Sequence, residues 1–227
     1  MSSCSTEPKD QPASGCCGDD VVFDGASPAY KRVLLAVIAI NLAAFGAIAI
    51  GALAQGSAAL AANAMDFLAD GVTYAISLWV IGKAANVRAG AALLKGASLG
   101  ILAVSVLGFA IWRSMTGAPP EGLVITGLGG LGLAANLVAG VLLFRFREGD
   151  ANVRSVWLCT RNDAIHSLVV AGAGGLVLLT GARWPDLLAG AALALIFMQS
   201  AWQIVRQALA ERSAAAPHQR HEVSSAL

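Results

Sequence analysis

Polar residues interrupt the hydrophobic runs of this chain at only a few positions. Six apolar runs, each close to the roughly 20 residues that a membrane helix needs, are separated by short polar turns: residues 31–53, 58–82, 90–112, 122–144, 152–179 and 184–206. The pattern predicts an all-α integral membrane protein with six transmembrane helices. They are numbered spans 1 to 6 in chain order.

The composition agrees with a membrane protein. Hydrophobic residues make up 57% of the chain and charged residues 13%, whereas soluble domains usually carry about 25% charged residues. The chain has no basic arm and no basic patch interleaved with aromatic residues, so nucleic acid is excluded as a partner. The expected surroundings are the lipid bilayer.

The polar ends of the sequence divide the chain into three parts. Residues 1–29 are predicted to be a disordered cytoplasmic leader, residues 30–208 the six-helix transmembrane domain, and residues 209–227 a short polar cytoplasmic tail. The tail has too few residues for a folded domain. Cys16 and Cys17 in the leader could capture a soft metal ion, but adjacent cysteines differ from the usual CxxC chelate, which favours incidental thiols.

The distribution of basic residues predicts the orientation. Six spans put both termini on one side, and the loops on that side hold nine basic residues: Lys31, Arg32, Lys83, Arg88, Arg145, Arg147, Arg154, Arg206 and Arg212. The loops on the other side hold Arg113 and Arg183. The positive-inside rule therefore places both termini in the cytoplasm. Short loops and the lack of a targeting peptide indicate a bacterial inner (plasma) membrane.

Span 2 carries two carboxylates in its interior. Asp66 and Asp70 are four residues apart, so on a helix they share one face about 6 Å apart along the axis. Asn63 lies on the same face one turn earlier. A carboxylate inside a membrane is energetically expensive and usually marks a functional site. Span 2 therefore predicts one half of a cation site.

Span 5 carries a matching pair. Cys159 and Asp163 are also four residues apart on one helical face, with Asn162 and His166 beside it. Two helices that each offer two stacked ligands can enclose one tetrahedral ion. The expected metal ligands are the three carboxylates and the thiolate, namely Asp66, Asp70, Cys159 and Asp163, with Asn63, Asn162 and His166 as possible support. Carboxylate and sulfur are zinc ligands, and sulfur shifts preference toward zinc and cadmium.

Two of these residues have other interpretations. An isolated Cys159 would more often be a small buried residue than a ligand. His166 could be a ligand, a proton relay or a bridge between helices. The sequence leaves open whether Cys159 or His166 completes the coordination shell.

With these motifs the chain resembles the membrane domain of the cation diffusion facilitators. That family has six spans with cytoplasmic termini and carries an [HD]xxxD pair on span 2 and another on span 5, matched here by Asp66-x-x-x-Asp70 and Cys159-x-x-x-Asp163. The further matches are polar residues in or at the start of the spans: Asn41, Asn63, Asn136 and Asp186.

The resemblance implies efflux of a divalent metal ion of the zinc, cadmium, cobalt or iron class, by alternating access and in exchange for protons. Zinc is the leading candidate, as transported substrate rather than as a permanently bound cofactor, and no enzymatic activity is expected. The chain departs from the family at Cys159, where His or Asp is usual. The predicted tail of residues 209–227 is also too short for the family's cytoplasmic C-terminal domain, so we expect any homodimer to form through the transmembrane helices.

Glycines suggest where such helix contacts could form. Gly96 and Gly100 of span 3 have the GxxxG spacing that permits close packing or dimerisation, and Gly127, Gly130 and Gly132 of span 4 likewise allow close packing.

Two alternative functions remain open at this stage. A membrane metal sensor or accessory subunit would keep the site but have no transport cycle. An enzyme would use the aspartates and His166 in acid–base catalysis, but no nucleophile–base pair is evident beyond Ser167 next to His166.

Overall fold

Six α-helices form the structure, a computed structural model that describes residues 27–80, 85–147 and 151–224. Within these ranges the side chains of residues 80–92, 95, 148–155, 158, 207–208 and 210–224 are not described. The helices are α1 Pro28–Gln55, α2 Ala58–Val80, α3 Ala85–Met115, α4 Gly122–Phe144, α5 Ala151–Thr180 and α6 Trp184–Ser224. No strand occurs in the described ranges, so the all-α prediction is confirmed. Most of the leader, including Cys16 and Cys17, lies outside the described residues.

Five of the six helices contain a stretch long and apolar enough to cross a membrane: Pro28–Gln55, Gly96–Met115, Gly122–Phe144, Cys159–Thr180 and Trp184–Arg206. The stretches correspond to predicted spans 1, 3, 4, 5 and 6. Helix α2, which corresponds to predicted span 2, has 23 residues and carries Asn63, Asp66 and Asp70 in its interior.

The sixth helix is longer than its predicted span. It continues from the apolar stretch ending at Arg206 as helix to Ser224. The polar tail expected from residue 209 is therefore helical over most of its length.

Local sequence signals explain where α1 begins and ends. The Ser27 hydroxyl accepts a hydrogen bond from the Tyr30 amide at 3.2 Å, and Pro28 occupies the first turn, where its missing N–H costs nothing. Gly56 follows the helix with φ of 61°, a left-handed conformation that glycine adopts without steric cost. This turn reverses the chain directly into α2.

The helices pack as three close pairs, α1 with α2, α3 with α6, and α4 with α5. Consecutive helices run in opposite directions, so α1, α3 and α5 begin at one end of the bundle, called end A, and α2, α4 and α6 begin at end B. Helix α2 contacts each of the other five helices within the described residues. A helix surrounded in this way can hold carboxylates away from lipid.

Glycines allow two of these close pairs to form. A Cβ atom added at Gly129 of α4 would lie 2.6 Å from the Ala171 nitrogen of α5, which shows that the two backbones are in contact. Gly132 also faces a neighbouring helix as expected, but Gly127 and Gly130 have no atom within 4 Å of that position, so their predicted packing role is wrong. Because α4 is apolar on every side, periodicity could not identify the packed face.

The GxxxG face of α3 packs within the molecule. A Cβ atom at Gly96 would lie 2.9 Å from Val205 Cγ2 of α6, and one at Gly100 would lie 3.7 Å from Ala201 Cβ. This face is therefore covered by α6. A homodimer through the transmembrane helices would need a different surface.

Buried apolar residues form two clusters with a polar layer between them. The cluster near end B includes Ile48, Leu60 and Val177, and the cluster near end A includes Leu34, Tyr74 and Leu143. Between them lie the buried polar residues Asn41, Asn63, Asp66, Asn136, Thr160, Asp163 and Ser167. This layer holds most of the residues that the sequence singled out.

Asp186 and two arginines connect the helices at end B. The Asp186 carboxylate of α6 accepts hydrogen bonds from the Ser57 hydroxyl at 2.5 Å and from the Ala58 and Ala59 amides at 2.8 and 3.1 Å. The predicted structural role of Asp186 at its own helix start thus extends to a second helix, because the carboxylate caps α2.

The arginines bind the neighbouring turns. Arg113 donates to the Gly56 carbonyl at 2.8 Å, and Arg183 donates to the Arg113 carbonyl at 3.2 Å. Together with Asp186 these contacts join the three turns of end B.

Candidate metal centre

A cavity of about 490 Å³ lies between α2, α5 and α6, with Leu99 of α3 at its side. It extends from the polar layer toward end A, along α2 from Asp66 to Ser77 and along α5 from His166 back to Val156. Its lining includes six of the seven predicted site residues within the spans: Asp66, Asp70, Cys159, Asn162, Asp163 and His166. The two predicted halves of the site therefore face the same space.

Three side chains from both helices converge most closely. His166 Nδ1 lies 3.2 Å from Asp66 Oδ2 and 3.7 Å from Asp163 Oδ1. Each of the three residues offers a ligand atom, and all these atoms lie within 4.8 Å of one another. Both carboxylates are buried, with 6% of each residue exposed. Two carboxylates and an imidazole at this separation can surround a small divalent cation.

A buried oxygen without a partner supports a cation at this position. Asp163 Oδ2 is inaccessible to solvent and has no hydrogen-bond partner among the described residues. Buried carboxylate oxygens are rarely left unsatisfied, because removing them from water is costly. A bound cation or a proton would satisfy this oxygen.

Asp70 and Cys159 lie beside this group of three. Asp70 lines the same cavity, with Asp163 and Tyr74 among its neighbours. Cys159 is exposed to the cavity one turn before Asp163. Both residues therefore face the space that the other three enclose.

The supporting residues of the prediction occupy different positions. Asn162 is exposed and lines the cavity. Asn63 is fully buried one turn beyond the cavity, where its Oδ1 accepts a hydrogen bond from Ser167 Oγ at 3.1 Å. Ser167 Oγ in turn accepts one from Asn136 Nδ2 at 3.2 Å. These three residues join α2, α4 and α5 at the deep end of the cavity.

Sequence reasoning missed Tyr74, which lines the cavity, and Thr160, its partner on α5. The Tyr74 hydroxyl lies 3.1 Å from Thr160 Oγ1, and Thr160 also donates to the Val156 carbonyl of its own helix. Tyr74 continues the four-residue spacing of Asp66 and Asp70, which was the available signal. Thr160 could not be found in this way because its partner lies on another helix.

His166 also contacts α6. Its ring packs edge-on against Phe197, with 5.9 Å between the ring centroids. The imidazole is therefore held between two aspartates on one side and an aromatic ring on the other.

Comparison with known proteins identifies one family. The model of one protein family, described as the cation efflux transmembrane domain, matches residues 34–211. The match covers most of the chain and includes all six helices. No curated protein sequence matches the chain.

Proposed function

The chain belongs to the cation efflux family, and from this membership we propose that it exports divalent metal ions through a single site between α2 and α5. The observation that carries the proposal is the convergence of Asp66, Asp163 and His166 on one cavity, beside a carboxylate oxygen that lacks a partner. A multi-pass membrane protein with such a site can bind a cation at membrane depth and release it on either side. A bacterial inner membrane is the proposed location.

We propose that Asp66, Asp163 and His166 form the core of the coordination shell and that Asp70 or Cys159 supplies the fourth ligand. Nitrogen and carboxylate ligands suit zinc, cobalt and iron, and a thiolate would shift the preference toward zinc and cadmium. Zinc is the leading substrate in this proposal. Cys159 is the residue expected to separate one metal from another.

Proton exchange follows from the chemistry of the ligands. A carboxylate, a thiolate or a neutral imidazole must be unprotonated to bind a metal ion. Protons and metal therefore compete for the same atoms, and a site that alternates between two sides exchanges one for the other. The cavity toward end A and the hydrogen-bonded turns of end B are consistent with one state of such a cycle.

Metal-stimulated proton flux in proteoliposomes tests this function. Wild-type protein is expected to move protons when zinc, cadmium, cobalt, iron(II) or manganese is added on the side of end A. Asp163→Asn keeps the size of the side chain but removes the carboxylate, and its flux is expected to fall to background. Glu121→Gln is the matched control, because this carboxylate is exposed at end B and its loss is expected to leave the flux unchanged.

The same preparations distinguish the alternative functions and the ligands. Metal binding without proton flux in the wild type would contradict transport and favour a sensor or accessory subunit. Cys159→Ala and His166→Ala, compared by competition with a fluorescent zinc chelator, show which residue contributes more to affinity. A change in the ranking of metals for Cys159→His is expected if Cys159 is a ligand.

A further inference from the structure

A second depression lies on the outer surface of the bundle, between α4 and α5. It has a volume of about 420 Å³, and its lining is mainly apolar, with Leu137, Gly140 and Val141 from α4 and Ala164 from α5. It is separate from the cavity of the candidate metal centre, because no residue lines both. We call it the α4–α5 groove.

Two aromatic rings and Arg161 line the end of the groove nearest end A, and Arg147 lies next to this end. Phe144 and Trp157 pack edge-on with 6.3 Å between their centroids, and both line the groove. The Arg147 guanidinium lies over Phe144 at 4.1 Å, and that of Arg161 lies over Trp157 at 5.5 Å. Each ring of the aromatic pair therefore makes a cation–π contact with one guanidinium.

The position of Arg161 favours an anionic partner at the outer surface of the bundle. It lies in the apolar stretch Cys159–Thr180, and its side chain is exposed on the outer surface. A guanidinium in a membrane helix extends toward the headgroup layer, where phosphate can accept its paired hydrogen bonds. No acidic residue is among those that line the groove.

Gly140 gives the groove its depth. A Cβ atom added there would meet only Thr160 Cγ2, at 3.9 Å, so the space in front of this residue is open. The groove thus combines an apolar channel with a cationic end, which matches the shape and polarity of a phospholipid.

We propose that the α4–α5 groove binds an anionic phospholipid, with its phosphate between Arg147 and Arg161 and an acyl chain along Leu137, Gly140 and Val141. Charge favours this occupant over a second copy of the chain. The acidic residues with described side chains either lie in the interior of the bundle or, in the case of Glu121, at end B: Asp66, Asp70, Glu121, Asp163 and Asp186. None of these could reach the arginines of another copy.

Native mass spectrometry with equal amounts of phosphatidylglycerol and phosphatidylcholine tests the proposal. Each arginine near a membrane surface is expected to favour the anionic lipid about fivefold. Wild-type protein should therefore retain one phosphatidylglycerol in clear preference to phosphatidylcholine. The double variant Arg147→Gln and Arg161→Gln should lose this preference, and Arg161→Lys should retain part of it.

Two further variants make the test specific. Arg145→Gln removes the same charge from the same turn, but Arg145 lies 5.2 Å from the centre of Phe146, which does not line the groove, whereas Arg147 lies over Phe144, which does. The lipid preference of this variant should therefore equal that of the wild type. Gly140→Leu should fill the apolar channel and reduce lipid retention without changing charge. Both variants must elute as folded protein on size exclusion.

Three outcomes would overturn the proposal. The first is an unchanged preference in the double arginine variant, and the second is an equal loss in Arg145→Gln, which would indicate general surface charge. The third is a lipid-free dimer that Arg161→Gln converts to monomers, which would show that a second copy occupies the groove.

Discussion

At the scale of single residues, Asp70 has as a neighbour a hydroxyl that pairs with another helix, and we infer that this hydroxyl positions it. Asp70 and Tyr74 line the same cavity, and the Tyr74 hydroxyl lies 3.1 Å from Thr160 Oγ1 on α5. Hydrogen-bond partners of metal ligands orient them, and their removal typically costs 10–100-fold in metal affinity. Tyr74 is fully buried, so its ring packs in the end A cluster while its hydroxyl faces the site.

Tyr74→Phe removes that hydroxyl and keeps the ring. We expect zinc affinity to fall roughly tenfold, with little change in the amount of folded protein, because the apolar packing remains. Isothermal titration of zinc into purified protein measures the effect. The other tyrosine of the chain provides the control, since Tyr30 is buried in the same cluster but does not line the cavity. Equal losses in Tyr74→Phe and Tyr30→Phe would contradict a positioning role.

The spacing of polar residues predicted much of the candidate site, because ligands on one helix recur at a fixed interval. Asp66, Asp70, Cys159 and Asp163 were identified in this way, and all four line one cavity. Ser167 and Thr160 were not identified, since their contacts run between helices and no period along the chain encodes them. The closeness of His166 to both Asp66 and Asp163 likewise depends on how α2 and α5 pack.

At the scale of helices, α4 can approach α2 closely because Gly132 has no side chain. A Cβ atom at Gly132 would lie 2.9 Å from Asn63 Nδ2 and 3.0 Å from Ser167 Oγ. Both neighbours are fully buried and belong to the hydrogen-bonded group at the deep end of the cavity. They have little room to move away from an added methyl group.

Gly132→Ala is therefore expected to destabilise the protein by about 1–3 kcal/mol and to weaken metal binding by displacing α2. Thermal unfolding in detergent, with and without zinc, measures both effects. Gly130→Ala is the matched control on the same helix, because no atom lies within 4 Å of the added group. Its stability should be equal to or slightly above that of the wild type, since alanine favours helix over glycine. A Gly132→Ala variant more stable than Gly130→Ala would contradict this account.

The helix ends were more predictable than the helix contacts. Ser27, Pro28 and Gly56 act within a few residues of their own position, so local sequence explains where α1 begins and ends, although the predicted span 31–53 was slightly shorter at both ends. By contrast, Asp186 caps a helix that begins 128 residues earlier in the chain. Gly96 and Gly100 had a spacing compatible with dimerisation, and only the packing of α6 shows that their partner is internal.

At the scale of the whole molecule, the two ends of the bundle differ. The metal cavity extends toward end A, whereas Asp186, Arg113 and Arg183 join the turns of end B. An ion in the cavity is therefore expected to exchange with only one side of the membrane in this state. In the proposed transport cycle, we expect release to the other side to require the contacts of Asp186 with α2 to break.

Asp186→Ala is expected to make the cavity accessible from end B, because the Ser57 hydroxyl and two α2 amides lose their acceptor. A membrane-impermeant maleimide applied to either side of oriented vesicles, with Cys4, Cys16 and Cys17 replaced by serine, reports the exposure of Cys159. We expect the protein with Asp186 intact and these three cysteines replaced to react from the end A side only, and we expect zinc to slow the reaction. The variant should also react from the end B side. Reaction from the end B side in the protein with Asp186 intact would contradict closure of the cavity at end B.

Pairing between α3 and α6 has a consequence for the biogenesis of the protein. The pairs α1–α2 and α4–α5 join neighbours in the sequence, so each can form soon after its second helix leaves the ribosome. Helix α3 must instead remain in the bilayer without its main partner while α4 and α5 are synthesised. When α6 enters the membrane, it covers Gly96 of α3, brings Asp186 to the start of α2 and places Phe197 against His166. Translation of α6 thus completes the assembly. In a chain interrupted before α6, helices α2, α3 and α5 would each lack a packing partner, and we expect the proteases that degrade misassembled membrane proteins to recognise them.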